Sequence, residues 1–133
     1  MSEAKPSEAG TISWADLTVD DAATIRDFYS KVVDWPFESV DMGGYSDFCM
    51  LSSTDGQPKA GICHARGSNA NLPAQWLIYI TVADLEKSVS ACVEHGGKVL
   101  SGPRSAGQGR FAVIEDPAGA VAALFESLPS ASS

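Results

Sequence analysis

The sequence predicts an α+β fold of two tandem βαβββ units related by a pseudo-twofold, and three observations lead to it. Displaced by 63 residues, the chain falls on itself: Thr18, Val19 and Asp21 meet Thr81, Val82 and Asp84, and Gly44, Phe48, Gly56 and Ala60 meet Gly107, Phe111, Gly119 and Ala123. Internal self-similarity of this kind constrains a fold more than any local propensity, and the register asks for no gap. Each half then carries the same succession of patterns, one strand, one amphipathic helix and three short strands. Finally, 133 residues make a single domain, able to bury roughly two thirds of its unfolded surface without a disulfide or metal staple.

Residues 1–10, MSEAKPSEAG, read as a disordered tail; they hold no apolar run that could serve as a signal peptide. The first unit, 11–65, opens with the alternating strand Ile12 to Val19 and a helix starting at Asp21. Its Ala22, Ile25, Phe28, Tyr29, Val32 and Val33 recur at threes and fours. Strands follow around Phe37 to Asp41, Tyr45 to Ser52 and Lys59 to Ala65. A Gly-, Asn- and Pro-containing linker, 66–74, leads to the second unit, 75–126. There a strand from Trp76 to Val82 precedes a helix from Asp84, which carries Leu85, Val89, Cys92 and Val93 and is stopped by Gly96-Gly97. Strands around Lys98 to Ser101, Arg110 to Glu115 and Ala120 to Phe125 complete it. Asp55-Gly56 and Asp116-Pro117-Ala118-Gly119 supply the turns between the last two strands of each unit. Residues 127–133 read as a loose tail.

Composition excludes several functions. A net charge of −8 with nine scattered Lys and Arg repels phosphate backbones and anionic lipid, so nucleic acid and membrane surfaces are not expected partners. No apolar run approaches the roughly 20 residues of a membrane span. Cys49, Cys63 and Cys92 form no CxxC pair and read as small apolar residues of a cytoplasmic protein. No GxSxG, P-loop or GxGxxG signature occurs.

Three stretches, WADLTVDDAATIRDFYSKVVDWPFE, WLIYITVADLEKSVSACVEHGGKV and GRFAVIEDPAGAVAALFE, taken in this order with the internal offset, resemble the vicinal oxygen chelate superfamily. That superfamily includes lactoylglutathione lyase, bleomycin-resistance proteins, fosfomycin-resistance enzymes and extradiol dioxygenases. The resemblance runs from about Thr11 to Glu126. It implies a cup-shaped mixed β-sheet with helices outside, a small-molecule site within the cup, and a homodimer. It also implies a test, because metal-dependent members place a His on the first strand of each half and a Glu near the end of each last strand.

In this sequence those positions fall on Trp14 and Leu77, and on Ala60 and Ala123. None can donate to a cation that needs three or four N, O or S ligands, so neither metal nor cofactor is expected. Strand parity places Trp14, Leu77, Ala60, Ala123, Ile62 and Phe125 on the cup wall, with Asp16, Thr18, Tyr79 and Thr81 as its polar points, the make-up of a small-molecule site. Leu17, Val19, Ile78, Ile80 and Val82 pack beneath the helices instead.

Asp16 is the first candidate for acid or base chemistry, since enclosure beside an indole favours the protonated carboxyl; a solvated Asp at the mouth of the cup is the alternative. Tyr79 stands at the same position in the second half. His64, at a strand end, is the second candidate, as a proton shuttle or simply a polar strand end. His95 and Trp35-Pro36 read as helix-end devices, and Cys63, of opposite parity to Ile62, as pointing away from the site. Three functions follow: a metal-independent protein binding a small organic molecule, a glyoxalase-like lyase or isomerase using Asp16 or His64, and a structural dimer with a filled cup.

Overall fold

Asp21 and Asp84 start the two helices through their side chains. Asp21 accepts from the Thr24 amide at 3.2 Å and the Thr24 hydroxyl at 2.8 Å, and Asp84 accepts from the Lys87 amide at 3.1 Å, satisfying donors that a helix N-terminus leaves without partners. The structure is a computed structural model and describes residues 8–67, 70–106 and 109–127. Its elements run β1 (Ile12–Val19), α1 (Ala22–Val33), β2 (Phe37–Asp41), β3 (Ser46–Leu51), β4 (Pro58–His64), β5 (Trp76–Thr81), α2 (Leu85–Glu94), β6 (Lys98–Ala106), β7 (Gly109–Glu115) and β8 (Val121–Ser127). This is the α+β, twice βαβββ arrangement. The predicted tails fall largely outside the described residues, at 1–7 and 128–133, as do 68 and 69 of the linker.

Helix α1 ends on Asp34, whose left-handed backbone (φ 62) is a conformation that Asp tolerates better than most side chains. Helix α2 ends on His95, whose backbone N–H reaches Ala91 O, and Gly96 turns the chain at φ 97. Strand β6 outruns the expected Lys98 to Ser101. Gly102-Pro103 looks like a breaker in sequence, yet shifts of register flanking Ser101 carry the pairing with β7 on to Ala106, as an irregular strand permits.

Two compact units divide the chain, Trp14–Leu77 and Ile78–Ser133 with Met1–Ser13. In the first, the strand order is β2-β3-β4-β1, antiparallel except for the parallel β4–β1 pair. Its core is Leu17, Ala22, Phe48, Met50 and Ile62, with Tyr29, Trp35 and Trp76 packed on it. Trp76 donates its indole N–H to the Tyr29 hydroxyl at 3.1 Å. The second unit orders its strands β5-β8-β7-β6, with β5 and β8 parallel. Leu85, Ala112 and Leu124 form its core beneath α2, joined by Ile80, Val82, Val89 and Ile114. The start of β1 belongs here: Thr81 N–H donates to Thr11 O at 2.9 Å, and the Thr81 hydroxyl donates to Ser13 Oγ at 3.1 Å.

The strand registers correct the gapless repeat. Asp16 pairs with Gly61 and Gly61 with Cys49, whereas Tyr79 pairs with Ala123 and Ala123 with Val113. Twelve residues separate Cys49 from Gly61, but only ten separate Val113 from Ala123. The longer connection in the first unit contains a register shift at Met50/Leu51. By position in the sheet, the counterpart of Ala123 is therefore Gly61 and not Ala60.

Candidate functional site

That shift of one residue turns β4 over. Side chains on successive strand residues point to opposite faces, and the registered row Ser39, Phe48, Ile62, Leu17 lies on the side of α1. Ile62 is fully buried in that core, and Ala60, paired with Met50, shares the face. The expectation that Ala60 and Ile62 line the wall beside Asp16 is thus corrected. The opposite face carries the row Glu38, Cys49, Gly61, Asp16, with Cys63 beside Thr18.

On this second face Trp14 donates its indole N–H to Asp16 Oδ1 at 2.6 Å. Two residues apart on one strand, the pair meets because β1 alternates. The carboxylate lies across Gly61: a β-carbon there would stand 3.3 Å from Asp16 Cγ and 3.7 Å from the Trp14 indole nitrogen, and closer than 3.0 Å to Asp16 Oδ1. Thr18, two residues on from Asp16 along the same strand face, is buried.

Cys63, assigned by sequence parity to the far side, shares the face of Asp16. Burial first, then the charges of Asp16 and Asp47 and a hydrogen bond with Asp47, push its thiol well above the ordinary range. Cys49 is raised by burial and then by Glu38 and Asp16. Both effects disfavour a thiolate nucleophile. Asp47 is itself buried and accepts the His64 amide at 2.8 Å, with His64 Nδ1 at 3.3 Å. The His64 ring lies edge-on to Tyr45 at 5.6 Å and tilted against Phe48 at 6.2 Å, so His64 is held in a packed strand end.

In the second unit Tyr79 and Thr81 pair with Ala123 and Phe125 on one face, the Tyr79 ring 6.0 Å from Phe111. The sequence places these four correctly relative to one another. Leu77, at the start of β5, is buried, as is Ala123.

The donor set does not fit the metal that the resemblance would imply. An indole, an isobutyl group, a methyl group and, in the corrected register, a glycine occupy the four positions. Among the described residues, Asp84, Glu86 and Glu126 bring ligand atoms within 4.8 Å of one another. These are already engaged: Arg110 pairs with Glu86 and lies 3.5 Å from Glu126, Glu126 accepts the Leu85 amide, and Asp84 caps α2.

Sequence reasoning missed Gly61, Cys49, Cys63 and Asp47 as members of the Asp16 face. One signal was present, a lone glycine inside a strand pattern, which marks close approach of another group.

The sequence profile of the Glyoxalase/Bleomycin resistance protein/Dioxygenase superfamily matches residues 11–124. CFP32 of Mycobacterium tuberculosis, which carries the name of a glyoxylase, is 28% identical over 120 residues, covering 89% of this chain and 46% of its own. The anthracycline biosynthesis protein DnrV of Streptomyces peucetius is 30% identical over 132 residues, covering 87% and 46%. The chain thus spans about half the length of these relatives. Among solved structures, a protein from Bacillus halodurans matches with a TM-score of 0.60 at 13% identity, covering 93% of this chain and 99% of that one. Methylmalonyl-CoA epimerase from Mycobacterium tuberculosis matches at 0.56 and 12%, covering 87% of each. At these identities the two structures share the fold.

Proposed function

Because the chain belongs to the Glyoxalase/Bleomycin resistance protein/Dioxygenase superfamily, we propose that it is a metal-independent member that binds a small organic molecule on the Trp14–Asp16 face of its first unit. The observation that carries this reading is the indole-to-carboxylate bond at 2.6 Å, set where metal-dependent relatives would be expected to hold a cation. It offers a ring to stack on and an oriented acceptor, the pairing that fixes an aromatic ligand bearing hydroxyl or ammonium groups. Asp16, Asp47 and Glu38 make the face acidic, which favours a neutral or cationic ligand over an anionic thioester. Relatives named for anthracycline biosynthesis direct the choice of probe. Leu77 remains a proposed lining residue of the first unit, and Tyr79, Thr81, Ala123 and Phe125, which share one face of the second, remain proposed as lining within that unit by itself. Three free thiols support a cytoplasmic location.

Doxorubicin, a cationic anthracycline, and methylmalonyl-CoA, an anionic thioester, form the test. At a hundredfold excess over its dissociation constant a ligand stabilises by about 2.7 kcal/mol. A thermal shift with doxorubicin, abolished in Asp16→Asn and Trp14→Ala and absent with the thioester, is expected; shifts identical in all three proteins would move the site elsewhere. Incubation with nickel, zinc, manganese or iron, followed by desalting and elemental analysis, is expected to leave no bound metal. About one metal per chain would end the metal-independent reading.

A second reading, a lyase or isomerase with Asp16 moving the proton, draws on the same oriented carboxylate. Turnover of the methylglyoxal–glutathione hemithioacetal, lost in Asp16→Asn, would favour it. His64, held against Asp47 and Tyr45, is the second candidate for that step.

A further inference from the structure

Gly61 has no backbone reason to be glycine. It is absent from the positive-φ positions and lies in the middle of β4, where glycine costs roughly 0.5–1 kcal/mol against alanine. Its side-chain space is taken by another residue: a β-carbon would intrude on Asp16 Oδ1 and stand 3.3 Å from Asp16 Cγ. The second unit supplies an internal comparison. Its matching row runs Ser101, Val113, Ala123, Tyr79, with a methyl group where the first unit has none, and its β5 residue is a phenol instead of a short acid.

The indole of Trp14 completes the arrangement. Its N–H reaches Asp16 Oδ1 at 2.6 Å from the same strand face, so the carboxylate is held on one side by a donor and bedded on the other against bare backbone. We infer that Trp14 and Gly61 are positioning residues, which together lay the Asp16 carboxylate flat along β4 and fix the direction from which it meets a ligand. This inference rests on the reading of the Trp14–Asp16 face as the ligand site. The groups facing Asp16 from the neighbouring strands are Cys49 and Glu38 along the row, and Asp47 with Cys63 beside it. None carries a positive charge, and the row's indole donor and its open side-chain space come from Trp14 and Gly61. An added methyl group at Gly61 would lever the carboxylate off the strand and lengthen its bond to Trp14.

The chain has three tryptophans, so the indole N–H protons form a small, assignable set in a proton–nitrogen NMR spectrum. Trp14→Phe identifies the Trp14 signal, which the short bond should place downfield of an unbonded indole. Gly61→Ala is expected to move this signal toward its position in Asp16→Asn while leaving those of Trp35 and Trp76 in place, the latter reporting an intact bond to Tyr29. Doxorubicin affinity, read by its own fluorescence, should fall about tenfold, the loss of one well-aligned bond to a charged group.

An unmoved Trp14 signal with unchanged affinity in Gly61→Ala overturns the inference. A moved signal with unchanged affinity overturns it too, since the carboxylate would then be held for the fold alone. Should Gly61→Ala fail to fold, Trp14→Phe decides through affinity: a tenfold loss supports the role and wild-type affinity refutes it. Wild-type protein that does not bind doxorubicin sinks the ligand reading, and the Trp14 signal in Gly61→Ala still decides whether the pair positions Asp16.

Discussion

Cys63 shows how a single side chain reports on its neighbours. Its thiol is raised by burial and by Asp16 and Asp47, so the folded protein keeps the proton after an unfolded chain has lost it. That contribution to stability is whole below the ordinary thiol value of 9.0 and is lost as pH climbs from there toward the folded value. Denaturant unfolding at pH 8 and pH 10 should show a fall in stability that Cys63→Ser flattens. Alkylation of native protein at pH 8, read by peptide mass, should spare Cys63 until denaturant is added; rapid native labelling would contradict the account. At this scale the sequence disclosed the Trp14–Asp16 pair, because neighbours two apart on a strand share a face whatever the rest of the sheet does. It could not disclose Gly61 or Cys63, whose faces depend on how β4 pairs with β3.

Strand β4 is the element on which the two readings part. Counting by the repeat put Ala60 and Ile62 beside Asp16, and a register shift at Met50/Leu51 together with a longer turn reversed them. Hydrophobic pattern did not forbid the error: Ala60-Gly61-Ile62-Cys63 is apolar on both faces, and a strand of that kind fixes no register by itself. Ile62→Ala tests the corrected placement. Emptying a fully buried core position should cost about 2–5 kcal/mol in urea unfolding and leave doxorubicin affinity at 25 °C within about twofold, since Ile62 lies on the α1 side. A large loss of affinity at unchanged stability would return Ile62 to the ligand face. The remaining elements were more legible: both helix starts carry their own capping Asp, and β1 and β2 match their expected bounds, because those signals are local.

For the whole molecule, the repeat disclosed the two-unit order, while the family was reached through the resemblance of three stretches, and the family match over residues 11–124 agrees. The relatives are about twice as long, and α1 leaves Phe28 54% and Val32 61% exposed, apolar surface of the kind a partner covers. We propose that a second copy of this chain is that partner. Light scattering on the eluting protein should give twice the 13.9 kDa chain mass, falling toward one chain in Phe28→Glu; a single-chain mass for the wild type at micromolar concentration would remove the proposal.

The hydrogen bonds from Thr81 back to Thr11 and Ser13 bear on how the molecule comes into being. A ribosome releases Ser13 long before Thr81, 68 residues later, so the head of the first strand waits through the synthesis of an entire unit for its partner. Trp14–Leu77 holds its whole core within one continuous stretch that ends just after Trp76, whereas the other unit draws on chain from before and after that stretch in sequence. The head of β1 thus acquires its Thr81 partner only after a contact of high sequence separation can close, which is a slow kind of contact to form.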